Sequence, residues 1–216
     1  DFARKKYVRI FNNSSFEEGG RFYGPWWQQI KSRKIKLRNK ITINGNQTVE
    51  LDFNALHIHF LYHLEGQDYN KFYGSNHDPY TLEGFEEYRD MVKMIILVSL
   101  NMDKKITSIP YMMPKILKDE DFFVKKFKYT KLVQTFSAHH HPIAKYLCSG
   151  IGIQLQNKDS NLSDYVIKKM TNKKIPVLNI HDSFIVEKQY EEILKDTMSG
   201  SIRYFKIKSI PTITTK

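Results

Sequence analysis

An α+β fold, an antiparallel sheet backed by helices, is what the sequence predicts. Three observations predict it: two alternating hairpin patterns far apart in the chain, helical periodicity between and after them, and enough apolar residues to fill a core. The chain has 216 residues, 41% apolar and 13% aromatic, which suits one compact domain over residues 1–216.

Taken in order, residues 19–40 read GGRFYGPWWQQIKSRKIKLRNK, glycines and aromatics ahead of a dense basic run. Two readings stand: a solvated loop and strand, or a strip whose cations, Arg33 and Lys34 among them, track a phosphate backbone while the aromatics stack on bases. On the second, residues 1–40 form a basic nucleic-acid-contact segment. The stretch KITINGNQTVELDF is a hairpin, because Asn44-Gly45 supplies the positive φ angles of a tight turn between two alternating runs; Asp52 then lies at the strand exit.

Residues 54–64 turn helical. Residues 81–101 carry a longer helix, with Phe85, Tyr88, Val92, Ile95, Ile96 and Ser99 on one side and Arg89 and Lys93 one turn apart. Residues 112–127 are helical with an interruption at Pro114, so residues 80–130 form a helical insertion. Asp159 or Ser163 caps a helix that runs to about residue 172. KIPVLNIHDSFIVEK is a second hairpin, two apolar runs meeting at His181-Asp182. A helix over 189–198, stopped by Gly200, and a strand over 202–207 complete the chain.

Lys and Arg outnumber Asp and Glu 34 to 23, a net charge of +11, which favours a polyanionic partner, nucleic acid ahead of an anionic membrane surface. The single cysteine, Cys148, excludes an internal disulfide and a cysteine-built zinc site, and the cytoplasm is the expected compartment. The opening DFARKKYVRIF lacks the apolar core of a signal peptide, and no apolar run reaches the roughly 18 residues of a membrane span, so no membrane partner is expected.

Two aspartates at strand ends suit one chemistry. Phosphoryl transfer from a nucleoside triphosphate uses Mg²⁺ ions about 3.5–4 Å apart, which take carboxylate oxygens, waters and substrate phosphates as ligands. Asp52 and Asp182 are the candidate carboxylates, with the backbone carbonyl of Phe53 as a further oxygen, and Arg89 and Lys93 present two cations to the triphosphate. A rival set is His57, His59 and His63 with Asp52, suited to Zn²⁺ and a metal-dependent hydrolase or nuclease, although His57 and His59 diverge on a regular helix. The run His139-His140-His141 reads as a polar loop.

At these residues the chain resembles the palm of family A DNA polymerases and of single-subunit phage-type RNA polymerases, over about residues 19–187. VELDFNALHIHFLY resembles the first motif, YRDMVKMIILVSLN the second and VLNIHDSFIV the third. The resemblance implies a palm-like sheet with reduced fingers, since Arg89 follows Asp52 by only 37 positions. It implies a template-dependent nucleotidyl transferase acting on primed template and nucleoside triphosphates, alone or within a larger replication or transcription complex. Asp52 and Asp182 would hold Mg²⁺ or Mn²⁺, Arg89 and Lys93 would grip the triphosphate, and His181 would position the primer end. GGRFYG, with Arg21, resembles the template-proximal element, and GIQLQNKDS makes Gln154 a primer-terminus contact. The chain departs from the family at Asn101, where a Tyr-Gly pair is usual, and at His57, where the DNA enzymes carry Glu. A palm kept as a nucleic-acid-binding module without catalysis is the alternative from a non-enzyme class.

Overall fold

The computed structural model describes residues 4–30, 37–110, 112–113 and 128–216. The expected helix over 112–127 therefore lies almost wholly outside the described residues, as do Arg33 and Lys34.

The sheet forms around one long strand. In β3 (Thr42–Ile43) and β4 (Asn46–Phe53) the hairpin turns at Asn44 and Gly45, with φ of 54° and 80°, as the sequence predicts. The second hairpin, β5 (Leu178–Ile180) and β6 (Ser183–Glu187), lays β6 antiparallel on β4 with Asp52 opposite Ser183 and Leu51 opposite Phe184. A last strand, β7 (Ile213–Thr215), pairs with the opposite edge of β4, Thr214 facing Asp52. A separate two-stranded ribbon, β1 (Val8–Asn12) and β2 (Ser15–Tyr23), precedes the sheet.

Strand alternation splits the sheet into two faces. Val49, Leu51 and Phe53 of β4 and Phe184 and Val186 of β6 point into the main core. There they meet apolar side chains of α1 (Leu56–Leu64), α3 (Arg89–Asn101), α4 (Tyr129–His139), α5 (Gly152–Asn172) and α6 (Glu191–Tyr204); a short helix, α2 (Tyr69–Tyr73), lies between α1 and α3. The opposite parity, Glu50 and Asp52 on β4 and Ser183 and Ile185 on β6, faces the other way. Part of that face is covered by a small second core of Trp27, Ile41, Ile180 and Ile185. The result is an antiparallel palm-like sheet backed by helices.

Several boundaries differ from the sequence reading. The helix expected over 81–101 starts at Arg89, after a 3-10 turn over Glu86–Tyr88, because Gly84 takes a left-handed φ of 76° that no α-helix accommodates. Tyr88 is exposed rather than core. Gly200 does not stop the last helix: Leu194, Met198 and Ile202 continue one buried stripe past it, and that burial outweighs the roughly 1 kcal/mol helical cost of glycine. Residues 202–204 are therefore helix and 205–206 turn, and the final strand lies at 213–215. Helix α5 begins at Gly152, well before Asp159 and Ser163, which sit inside it facing the core instead of capping it. No described helix is long and apolar enough to cross a membrane.

Candidate active site

Asp52 reaches the site because β4 alternates: its neighbours Leu51 and Phe53 are core, so its carboxylate emerges on the opposite face. Asp182 arrives from the facing hairpin. Ser183 pairs directly with Asp52, and Asp182 is the next residue outward, at the two-residue tip between Ile180 and Ser183. That tip is a constrained one. His181 adopts φ of 57°, uncommon for a side chain with a Cβ, and its carbonyl accepts hydrogen bonds from Ser163 Oγ and Asn179 Nδ2, both at 2.6 Å.

The electrostatics place the two carboxylates within each other's field. Burial, followed by the charge of Asp182, pushes the Asp52 carboxyl up to about 7 against the pull of Lys216 and Lys93. Asp52 Oδ2 meets Lys216 Nζ at 2.6 Å, while Oδ1 is buried with no hydrogen-bond partner among the described residues. A buried acceptor without a donor is costly, and a hard divalent cation is the ligand that carboxylate oxygens in such a place suit. Asp52 and Asp182 are the described residues that could hold a divalent cation here.

Around this pair the tertiary structure gathers cations and rings. Tyr80, 1% exposed, stands beneath both the Arg89 guanidinium (5.8 Å) and Lys93 Nζ (5.9 Å), and burial, then the charges of Asp78 and Asp182, push its phenol above the ordinary range. Lys93 thus faces the site. Arg89 is otherwise engaged, paired with Asp78 and with Asp90. Tyr23 sets its ring edge against His181 at 5.5 Å. Phe53 is core, 2% exposed.

Arg21 is delivered by the ribbon. Gly20 (φ 82°) lies so close to β1 that an added Cβ would fall 2.7 Å from the Phe11 ring, and Arg9 ties the ribbon to α5 through Ser160 and Asn161. Arg21 then grips Asp159 with two nitrogens, at 2.5 and 3.4 Å, and His57 Nε2 donates to the same carboxylate at 3.0 Å. Burial pushes the Asp159 carboxyl up, but the His57 hydrogen bond and the Arg21 charge outweigh it, leaving the group below the usual range. Arg21 also feels Asp182, so this network borders the acidic pair.

Asp159, offered by the sequence as a helix cap, is instead the carboxylate shared by Arg21 and His57. Its signal was present: it shares a helical stripe with Leu155, Leu162 and Val166, an unusual position for an acid. Glu50 was legible in the same way, two positions before Asp52 on one strand face. It is 5% exposed and accepts from Arg38 (3.1 Å) and Ser183 Oγ (2.8 Å). Lys216 gave no local signal.

Gln154 is exposed and lies about 140° around α5 from Asp159, apart from the ion pair that Asp159 forms with Arg21. Other expectations are corrected. Trp27 is not a stacking platform: it is 6% exposed and its Nε1 donates to the Asn179 carbonyl at 3.1 Å. The histidine metal set does not converge. His57 turns to Asp159, His59 lies 2.7 Å from Ser209 Oγ, and no group of three His, Cys, Asp or Glu among the described residues is placed to hold a metal ion. Residues i and i+2 of a helix diverge, which is the physical reason. His140 is fully buried between Tyr62 and the Pro79 carbonyl, not part of a polar loop.

No protein-family model matches the chain, and no curated protein sequence matches it. Among solved structures, the chain is similar to the POL domain of Pol1 from M. smegmatis in complex with DNA primer-template and dNTP, with a TM-score of 0.50 over 95% of this chain at 10% identity. The chain spans 46% of the length of that protein, and the likeness is one of fold.

Proposed function

We propose that the chain is a polymerase-like nucleotidyl transferase that acts on primed template and nucleoside triphosphates, with Asp52 and Asp182 as its metal-holding carboxylates. The observation that carries this reading is the buried, unpartnered Oδ1 of Asp52 beside the Asp182 charge, at adjoining strand ends of a palm-like sheet. The likeness to a polymerase domain holding primer-template and dNTP supports the same partners.

In this reaction the primer 3′-hydroxyl oxygen bonds to the α-phosphorus of the incoming nucleotide, its proton passes to solvent, and pyrophosphate leaves with the α–β bridging oxygen. Divalent ions held by Asp52 and Asp182 would activate the hydroxyl and neutralise the leaving group. The side chains of this protein bind and orient. Lys93 places a cation within range of Asp52, where it would meet the triphosphate. Arg21, held by Asp159, and His181, held at the hairpin tip, would contact the primer beside the acidic pair. Asn179 and Ser163 keep that tip rigid, so that the two carboxylates stay in register.

The test is primer extension in Mg²⁺ or Mn²⁺. Extension by the parent chain that vanishes in Asp182→Ala, with unchanged circular dichroism, is expected; robust extension by that variant refutes the assignment. A second reading is favoured by the engagement of Arg89 with Asp78 and Asp90, which occupies one expected triphosphate cation. Here the palm binds nucleic acid without catalysis, and salt-sensitive binding to primed template survives alanine at both aspartates.

A further inference from the structure

Asp52 already has a cation. Lys216 Nζ lies 2.6 Å from Asp52 Oδ2, and the backbone holds it there: β7 pairs Thr214 with Asp52, and the Lys216 amide donates to the Glu50 carbonyl at 3.0 Å. The same carboxylate keeps its other oxygen buried and without a partner.

We infer that Lys216 is a built-in competitor for the metal, an ammonium that neutralises Asp52 until a divalent cation displaces it. This rests on the reading of Asp52 and Asp182 as the metal-holding pair.

Charge balance is the argument. A desolvated carboxylate beside a second carboxylate needs positive charge nearby, and in the metal-free chain Lys216 supplies it at contact distance while Lys93 acts from farther off. A divalent ion on Asp52 makes that compensation redundant, and an ammonium at contact distance then repels it. Displacement is cheap for the lysine. Its side chain is 46% exposed against 11% for Asp52, so the head group has only to turn outward into water. It also borders a cavity of about 360 Å³ lined by Arg38, Thr48, Glu50, Lys188 and Glu191, which gives the stem room to move. Metal binding and release of Lys216 become one coupled event, and the affinity of the acidic pair is set lower than the carboxylates alone would make it.

The experiment measures Mn²⁺ binding to the 216-residue chain by electron paramagnetic resonance, without nucleic acid. Lys216→Met keeps the stem and removes the charge; it should bind Mn²⁺ about tenfold tighter than the parent. Lys216→Arg keeps the charge and should stay near the parent value, and Asp52→Asn should lose the site. If Lys216→Met binds no tighter, or more weakly, while Asp52→Asn still abolishes binding, the competitor role is overturned and the acidic pair stands. If no variant binds Mn²⁺, both the inference and the reading beneath it fall.

Discussion

Arg21 and Asp159 lie 138 positions apart and meet in a two-point ion pair whose carboxylate is fully buried. The pair joins the ribbon to the long helix beside the hairpin tip, and His57 shares its acceptor. Breaking a buried pair from one side leaves an uncompensated charge, so Arg21→Met should destabilise the fold by about 3–5 kcal/mol. The double variant Arg21→Met with Asp159→Leu should recover part of that loss. Urea unfolding measures both, and an Arg21→Met variant as stable as the parent would show that the pair contributes nothing.

The two site carboxylates should report on each other. Asp182 is one of the causes that raise Asp52 to about 7. In the metal-free chain, Asp182→Asn should therefore shift Asp52 to titrate at lower pH, read from its carboxyl carbon resonance. The folded group holds its proton more tightly than an unfolded carboxylate at 3.8, so its contribution to stability is lost as pH rises toward 7. Asp182→Asn should reduce that loss and raise the melting temperature at pH 8. An Asp52 titration identical in both proteins contradicts the proximity of the pair.

Acid should destabilise the fold through buried neutral histidines. Burial lowers His59 to about 4 and His140 to about 3, against 6.5 in the unfolded chain. Their contribution is complete above pH 6.5 and is lost as pH falls toward those values, at about 1.4 kcal/mol per pH unit for each. By pH 5 the two together should cost about 4 kcal/mol, seen as a lower urea midpoint. His140→Gln should flatten the pH dependence by about half.

Trp27 should behave as a core residue. Trp27→Ala should cost about 3–5 kcal/mol through the lost volume of the second core, and Trp27→Phe about 1 kcal/mol through the lost hydrogen bond to Asn179. Nucleic-acid affinity of the folded Trp27→Phe protein, measured by fluorescence anisotropy, should equal that of the parent. A large drop in affinity with stability preserved would return Trp27 to a stacking role.

Much of the scaffold is legible in the chain. Alternation around Asn44-Gly45 and around His181-Asp182 marks both hairpins, because a two-residue turn and a period of two are local properties. Helix ends were less legible, for example at Gly84 and Gly200, where a left-handed φ and continued burial of Ile202 respectively overrode the pattern. The histidines at 57, 59 and 63 show the same limit: spacing offered a ligand set, and the partners Asp159 and Ser209 separated it.

By itself the sequence determined the alternating strands, the turn residues that close them and the placing of one aspartate at each strand end, all consequences of interactions within a few positions. Only the tertiary structure decided which charges meet: Asp182 beside Asp52, Arg21 and His57 on Asp159, and Lys216 on Asp52. Those contacts depend on how the ribbon, the long helix and the last strand pack against one sheet. Coulomb and burial energies are set by final distances and solvent exclusion, which no stretch of chain encodes alone.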